Sequence, residues 1–128
     1  MMVQVSAAAL VSECKGLAHP ASVDSIPTSA NKEDHVSMGT ISARKCLDIL
    51  RNTEAVIAIE LLCAAQALDL FTNLQPGRGT LEAYKVIRKK IPNLECDRIL
   101  AQDIAAMKEL MRSGMILTAV EKKIGQLN

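Results

Sequence analysis

The run Ala55-Val56-Ile57-Ala58-Ile59-Glu60-Leu61-Leu62-Cys63-Ala64-Ala65-Gln66-Ala67-Leu68-Asp69-Leu70-Phe71 is apolar on nearly every face of a helix, interrupted only by Glu60, Gln66 and Asp69. A helix apolar all round must be covered all round. Upstream of it no proline intervenes as far back as Asn31. The pattern therefore predicts one helix from Asn31 to about Leu70, a rod of roughly 60 Å at a rise of 1.5 Å per residue. The Asn31 side chain can cap it, and Glu33 and Asp34 suit the positive end of its dipole. Gly39 is tolerated inside it at a cost of about 1 kcal/mol. A compact domain of this length has a radius of gyration of about 14 Å, hence a diameter of roughly 36 Å. The helix outruns the globule its own chain can build, so partner helices are expected. A membrane span needs about 20 predominantly apolar residues, and three polar side chains interrupting the run argue against one.

Further helices are expected on both sides. Residues 2–16 carry a stripe of Val3, Ala7, Leu10 and Val11 with Gly16 able to end it, and the downstream pattern predicts helices over Thr80–Lys90, Asp97–Ser113 and Ile116–Ile124. The breaks fall at Pro76, Gly77 and Gly79 and at Ile91-Pro92-Asn93. Only Phe71 and Tyr84 are aromatic, and good helix formers outnumber β-branched residues, so the expected fold class is all-α. A hydrophobic content of 49% and a mean hydropathy of +0.17 supply a core for a single helical unit over residues 1–128.

The 15 basic and 14 acidic residues nearly cancel, and no window gathers a nucleic-acid groove. Arg88-Lys89-Lys90 reads as a solvated helix end. Cys14, Cys46, Cys63 and Cys96 are scattered as reduced, structural cysteines are. His19, His35 and Cys14 lack zinc-like spacing, so no metal site is expected. The apolar run Val5–Val11 has no basic residue before it, and Glu13 stands where an export signal needs a small residue, which points to a cytoplasmic location.

Leu17–Ala30 contains Pro20, Pro27 and several hydroxyl residues, and it is an irregular connection longer than most. Long ordered loops are disproportionately functional. Asp24 and Ser25 are expected to pin it through side-chain to backbone bonds. Its residues His19-Pro20-Ala21-Ser22-Val23-Asp24-Ser25 and Pro27-Thr28-Ser29-Ala30, with Asn31 and the following Glu33-Asp34-His35-Val36-Ser37-Met38, together resemble the signature of the histidine ammonia-lyase family. The similarity extends through Ala58-Ile59-Glu60-Leu61-Leu62, Ala64-Ala65-Gln66-Ala67-Leu68-Asp69 and Gln4-Val5, is strong over about the first 70 residues, and weakens beyond them. Related phenylalanine and tyrosine lyases and aminomutases carry Gln-Asp-Val where this chain has Glu33-Asp34-His35, which favours the histidine branch.

The resemblance implies a long-helix bundle like the C-terminal part of the aromatic amino acid lyase fold. It also implies elimination of ammonia from L-histidine to give urocanate. The family's electrophile is a methylidene-imidazolone formed from Ala-Ser-Gly, a triplet this chain lacks, so that group would have to come from a missing segment. The chain alone is therefore expected to be inactive. Glu33 matches the family's active-site glutamate and Met1 its substrate-pocket methionine, with Lys32, Asp34 and His35 completing the motif. Lys32 departs from the usual glutamine and is expected to pair with Glu33 and lower its basicity. The partners implied are further copies of the chain, the N-terminal portion of the lyase, or both. The alternative is a non-catalytic helical oligomerisation or regulatory module derived from the lyase.

Overall fold

Helix α1, Met2–Leu17, opens the computed structural model, which describes residues 2–23, 25–71 and 73–127. It is followed by α2 (Gly39–Leu70), α3 (Arg78–Lys90), α4 (Leu100–Arg112) and α5 (Met115–Ile124). The described residues include no strand beyond an isolated antiparallel bridge between Thr28 and Glu33, so the all-α expectation holds. The chain forms two compact units, one ending at Val56 and the other starting at Ile57.

In the first unit, α1 half-buries Val3, Ala7, Leu10, Cys14 and Leu17, the 3–4 spacing of one helix face. Val11, expected on that stripe, is exposed, because the stripe continues to Cys14 and Leu17. Polar bonds tie α1 and its exit to α2. Asn52 Nδ2 donates to the Glu13 carboxylate at 2.9 Å, the Cys14 thiol lies 4.0 Å from the Ile49 carbonyl, and Lys45 Nζ donates to the His19 carbonyl.

Helix α2 starts eight residues later than the uninterrupted pattern predicts. Ser29, Ala30 and Asn31 hold φ values of 56°, 53° and 66°, left-handed backbone that no right-handed helix contains. Asn31 therefore caps nothing. Met38, at φ 49°, supplies the carbonyl that accepts from the Ile41 and Ser42 amides. The helix then runs unbroken to Leu70, as expected.

The second unit is built around Ala58 and Ala65 of α2, Ile87 of α3, Ile91 just after it, and Met107 and Leu110 of α4. The close helix approach is between α3 and α5, where Gly79 leaves room. A Cβ there would stand 3.0 Å from Ile124 Cδ1 and 3.3 Å from Val120 Cγ1.

Arg88 is not solvated as its basic triplet suggests. Its Nη2 donates to Asp69 at 2.5 Å, its Nη1 donates to the Ile91 carbonyl at 3.2 Å, and its guanidinium carbon sits 5.7 Å from the centre of the Tyr84 ring. The Tyr84 hydroxyl donates to the same carboxylate at 2.5 Å. Burial pushes the Asp69 carboxyl up, but the bonds from Tyr84 and Arg88 and the Arg88 charge outweigh it and hold the group below its ordinary value. The bond to Asp69, helped by burial, raises the Tyr84 hydroxyl in turn.

Helix α4 begins at Leu100 rather than Asp97, because Arg98 is engaged outside it. That side chain donates to the carbonyls of Pro92 and Asn93 at 2.7 and 2.8 Å and to Asp103 at 2.9 Å, closing the proline break. Gln66 adds a two-way clasp on Leu94, accepting from its amide at 2.8 Å and donating to its carbonyl at 3.5 Å.

The apolar run of α2 is not covered all round by this chain. Ala58, Ile59 and Ala65 are buried, whereas Ile57, Cys63 and Ala64 are exposed. Glu60, a polar break in that run, is also exposed. Cys46, Cys63 and Cys96 are free and exposed rather than structural, and Cys14 is free and half-buried. Among the described residues no helix is long and apolar enough to cross a membrane.

Candidate active site

The connection between α1 and α2 doubles back on itself, and three hydroxyls hold its two limbs together. Ser22, Ser25 and Thr28 recur every third residue along the outgoing limb. Ser22 Oγ donates to the Ser37 carbonyl at 3.1 Å. Ser25 Oγ donates to the Asp34 carbonyl at 3.0 Å and accepts from the Val36 amide at 3.1 Å. Thr28 Oγ1 donates to the Glu33 carboxylate at 3.0 Å. The expected pinning role thus holds for Ser25, while Asp24 lies outside the described residues.

At the tip, the Thr28 amide donates to the Glu33 carbonyl at 3.0 Å and the Glu33 amide to the Thr28 carbonyl at 3.3 Å. The left-handed residues between them reverse the chain, closed further by the Lys32 amide donating to the Ser29 carbonyl at 3.2 Å. Glu33 is therefore displayed at a hydrogen-bonded turn rather than in the first turn of a helix. Its carboxylate is exposed, with one oxygen engaged by Thr28.

The candidate residues Lys32, Glu33, Asp34 and His35 are contiguous and exposed at this tip and on the limb that returns from it. Met1 lies outside the described residues. Among the described residues no ion pair joins Lys32 to Glu33; a hydroxyl, not an ammonium, occupies the carboxylate. Thr28 escaped the sequence reading. The signal for it was the three-residue recurrence of hydroxyls from Ser22 to Thr28.

Closer to α1, the chain beyond Leu17 borders a hollow of about 190 Å³ lined by His19, Pro20, Ser42, Lys45, Cys46 and Ile49, among others. The His19 ring Nδ1 lies 3.2 Å from the Pro20 carbonyl. Among the described residues no three His, Cys, Asp or Glu side chains converge as a metal ion would require.

The residues present do not fit an autocatalytic electrophile. Ser113-Gly114 is the only Ser-Gly pair and follows Arg112 rather than alanine. Ser113 Oγ donates to the Leu110 carbonyl at 2.8 Å, and Gly114, at φ 68°, is the left-handed link into α5. That pair is a helix-to-helix turn. What the loop does offer is an accessible carboxylate of fixed backbone position, able to accept a proton or bind an amine.

The family model for aromatic amino acid lyases matches residues 1–89. The histidine ammonia-lyase of Natranaerobius thermophilus is 59% identical over 127 residues, 99% of this chain and 25% of that protein. The crystal structure of histidine ammonia-lyase from Trypanosoma cruzi superposes with a TM-score of 0.86 at 46% identity, covering 92% of this chain and 23% of that one. The tyrosine aminomutase of Streptomyces globisporus reaches a TM-score of 0.84 at 35% identity, over 94% of this chain and 23% of its own. The chain spans about a quarter of the length of the curated relatives it matches. The likeness reaches well past the first 70 residues, through the C-terminal helices that the sequence alone left weakly matched.

Proposed function

The chain belongs to the aromatic amino acid lyase family, and from that premise we propose that it is the C-terminal portion of a histidine ammonia-lyase, which converts L-histidine to urocanate and ammonia. The observation that carries this reading is 59% identity along 99% of the chain to a histidine ammonia-lyase. Glu33-Asp34-His35 on the hydroxyl-pinned loop is consistent with it. Glu33 is the active-site carboxylate, touching the substrate or moving a proton near its β-carbon, and Met1 contributes to the side-chain pocket. Lys32, Asp34 and His35 shape the loop around Glu33.

The carboxylate is not enough. Removing a weakly acidic β-proton while expelling ammonia asks for more than positioning and one base. When present, the family's methylidene-imidazolone supplies the electrophile, and it comes from a segment beyond this sequence. The chain acts with the N-terminal portion of the lyase and with further copies of itself, in the cytoplasm. Exposed Ile41, Leu47, Leu50 and Ile57 along α2 support partner helices.

The test is urocanate formation by the purified chain, alone and mixed with an N-terminal lyase portion containing Ala-Ser-Gly. No turnover alone and turnover in the mixture are expected; appreciable activity from the chain alone would overturn the reading. Lys32 in place of the usual glutamine favours a second reading, a non-catalytic oligomerisation or regulatory module. A mixture that assembles yet forms no urocanate supports that alternative.

A further inference from the structure

We infer that Thr28 is a positioning residue for the Glu33 carboxylate, an inference that rests on the proposed role of Glu33. The Thr28 hydroxyl donates to one carboxylate oxygen at 3.0 Å, and the same two residues exchange backbone hydrogen bonds in both directions, at 3.0 and 3.3 Å. The backbone pair fixes where the two Cα atoms stand. The hydroxyl then selects among the side-chain rotamers of Glu33. On an exposed glutamate those rotamers are otherwise close in energy, and several would be populated.

The rest of the loop removes the slack that would make such a bond unimportant. The second hydroxyl, Ser25, both donates to and accepts from the returning limb within three residues of Glu33, and Ser22 holds that limb one step further on. The tip between Thr28 and Glu33 sits in left-handed backbone at three successive non-glycine positions, a conformation held only when its surroundings over-determine it. Thr28 thus meets Glu33 from a fixed platform. A base or substrate ligand misplaced by about 1 Å can lose up to roughly a hundredfold in rate, and one hydroxyl at this position governs that displacement without touching the substrate.

Two variants separate the hydroxyl from the shape of the side chain. Thr28→Val keeps the branched outline and removes the donor; Thr28→Ser keeps the donor. In the chain as it stands, three-bond NMR couplings to Glu33 Cγ should report one dominant χ1 rotamer in the parent and in Thr28→Ser, and averaging in Thr28→Val, with unchanged thermal midpoints. The same rotamer distribution in Thr28→Val would overturn the inference.

In the chain combined with an N-terminal lyase portion, Thr28→Val should lower kcat roughly tenfold with KM altered less than about threefold, and Thr28→Ser should restore kcat to within about twofold. Glu33→Gln is the reference. If Glu33→Gln abolishes turnover while Thr28→Val leaves kcat intact, positioning by Thr28 is refuted. If Glu33→Gln is itself harmless, the proposed role of Glu33 falls instead.

Discussion

The most consequential side chain outside the loop is Asp69, because two donors from α3 converge on it. Its folded-state carboxyl lies below the ordinary value, so it contributes stability that is complete above about pH 4, the unfolded range, and is lost as pH falls through the depressed folded value. Asp69→Asn should cost about 1–3 kcal/mol near pH 6 by weakening the bonds from Arg88 and Tyr84. In urea unfolding of the two proteins, the gap between their midpoints should narrow as pH falls below about 4; a gap that stays constant would contradict the assignment. This network was only half legible. Asp69 stood out as a polar break in an apolar run, but Arg88 sits in a basic triplet and spacing alone cannot say which member turns inward. The fold turns Arg88 toward the Asp69 carboxylate and the Ile91 carbonyl, whereas Lys89 and Lys90 remain exposed.

At the scale of elements, two glycines in helices should respond oppositely to alanine. Gly39 opens α2 with nothing nearer than Ser37 Oγ at 3.7 Å, so Gly39→Ala should stabilise by about 0.5–1 kcal/mol through reduced unfolded-state freedom. Gly79 faces two α5 side chains at 3.3 Å or less, and Gly79→Ala should destabilise by about 1–3 kcal/mol. Thermal or chemical denaturation of the pair checks the signs. The helices themselves were readable from proline and glycine punctuation and from apolar spacing, with the end of α2 at Leu70 correctly placed. The starts of α2 and α4 were not. Asn31 is the expected cap of α2 and Asp97 the expected first residue of α4, yet the first lies in a left-handed turn and the second precedes an Arg98 that is occupied by three oxygens. Bonds across turns of three to six residues override capping preference there, and no capping pattern announces them.

For the chain as a whole, exposed apolar side chains are the outstanding physical fact. Val5 and Val11 on α1, and Ile41, Leu47, Leu50 and Ile57 on α2, remain in contact with solvent. Light scattering on the purified chain is expected to give a multiple of 13.8 kDa; a monomer would remove the support for further copies as partners. One small feature also bears on how the chain as a whole accepts mutation. Exposure normally signals tolerance, and residues 29–31 are exposed. Their left-handed backbone reverses that expectation. A saturation scan read out by folded yield should show a narrow window in which glycine is accepted at Ala30 while valine and isoleucine are rejected, a penalty of about 1–2 kcal/mol. Three surface positions would then carry the mutational signature of a core, written by chirality instead of packing.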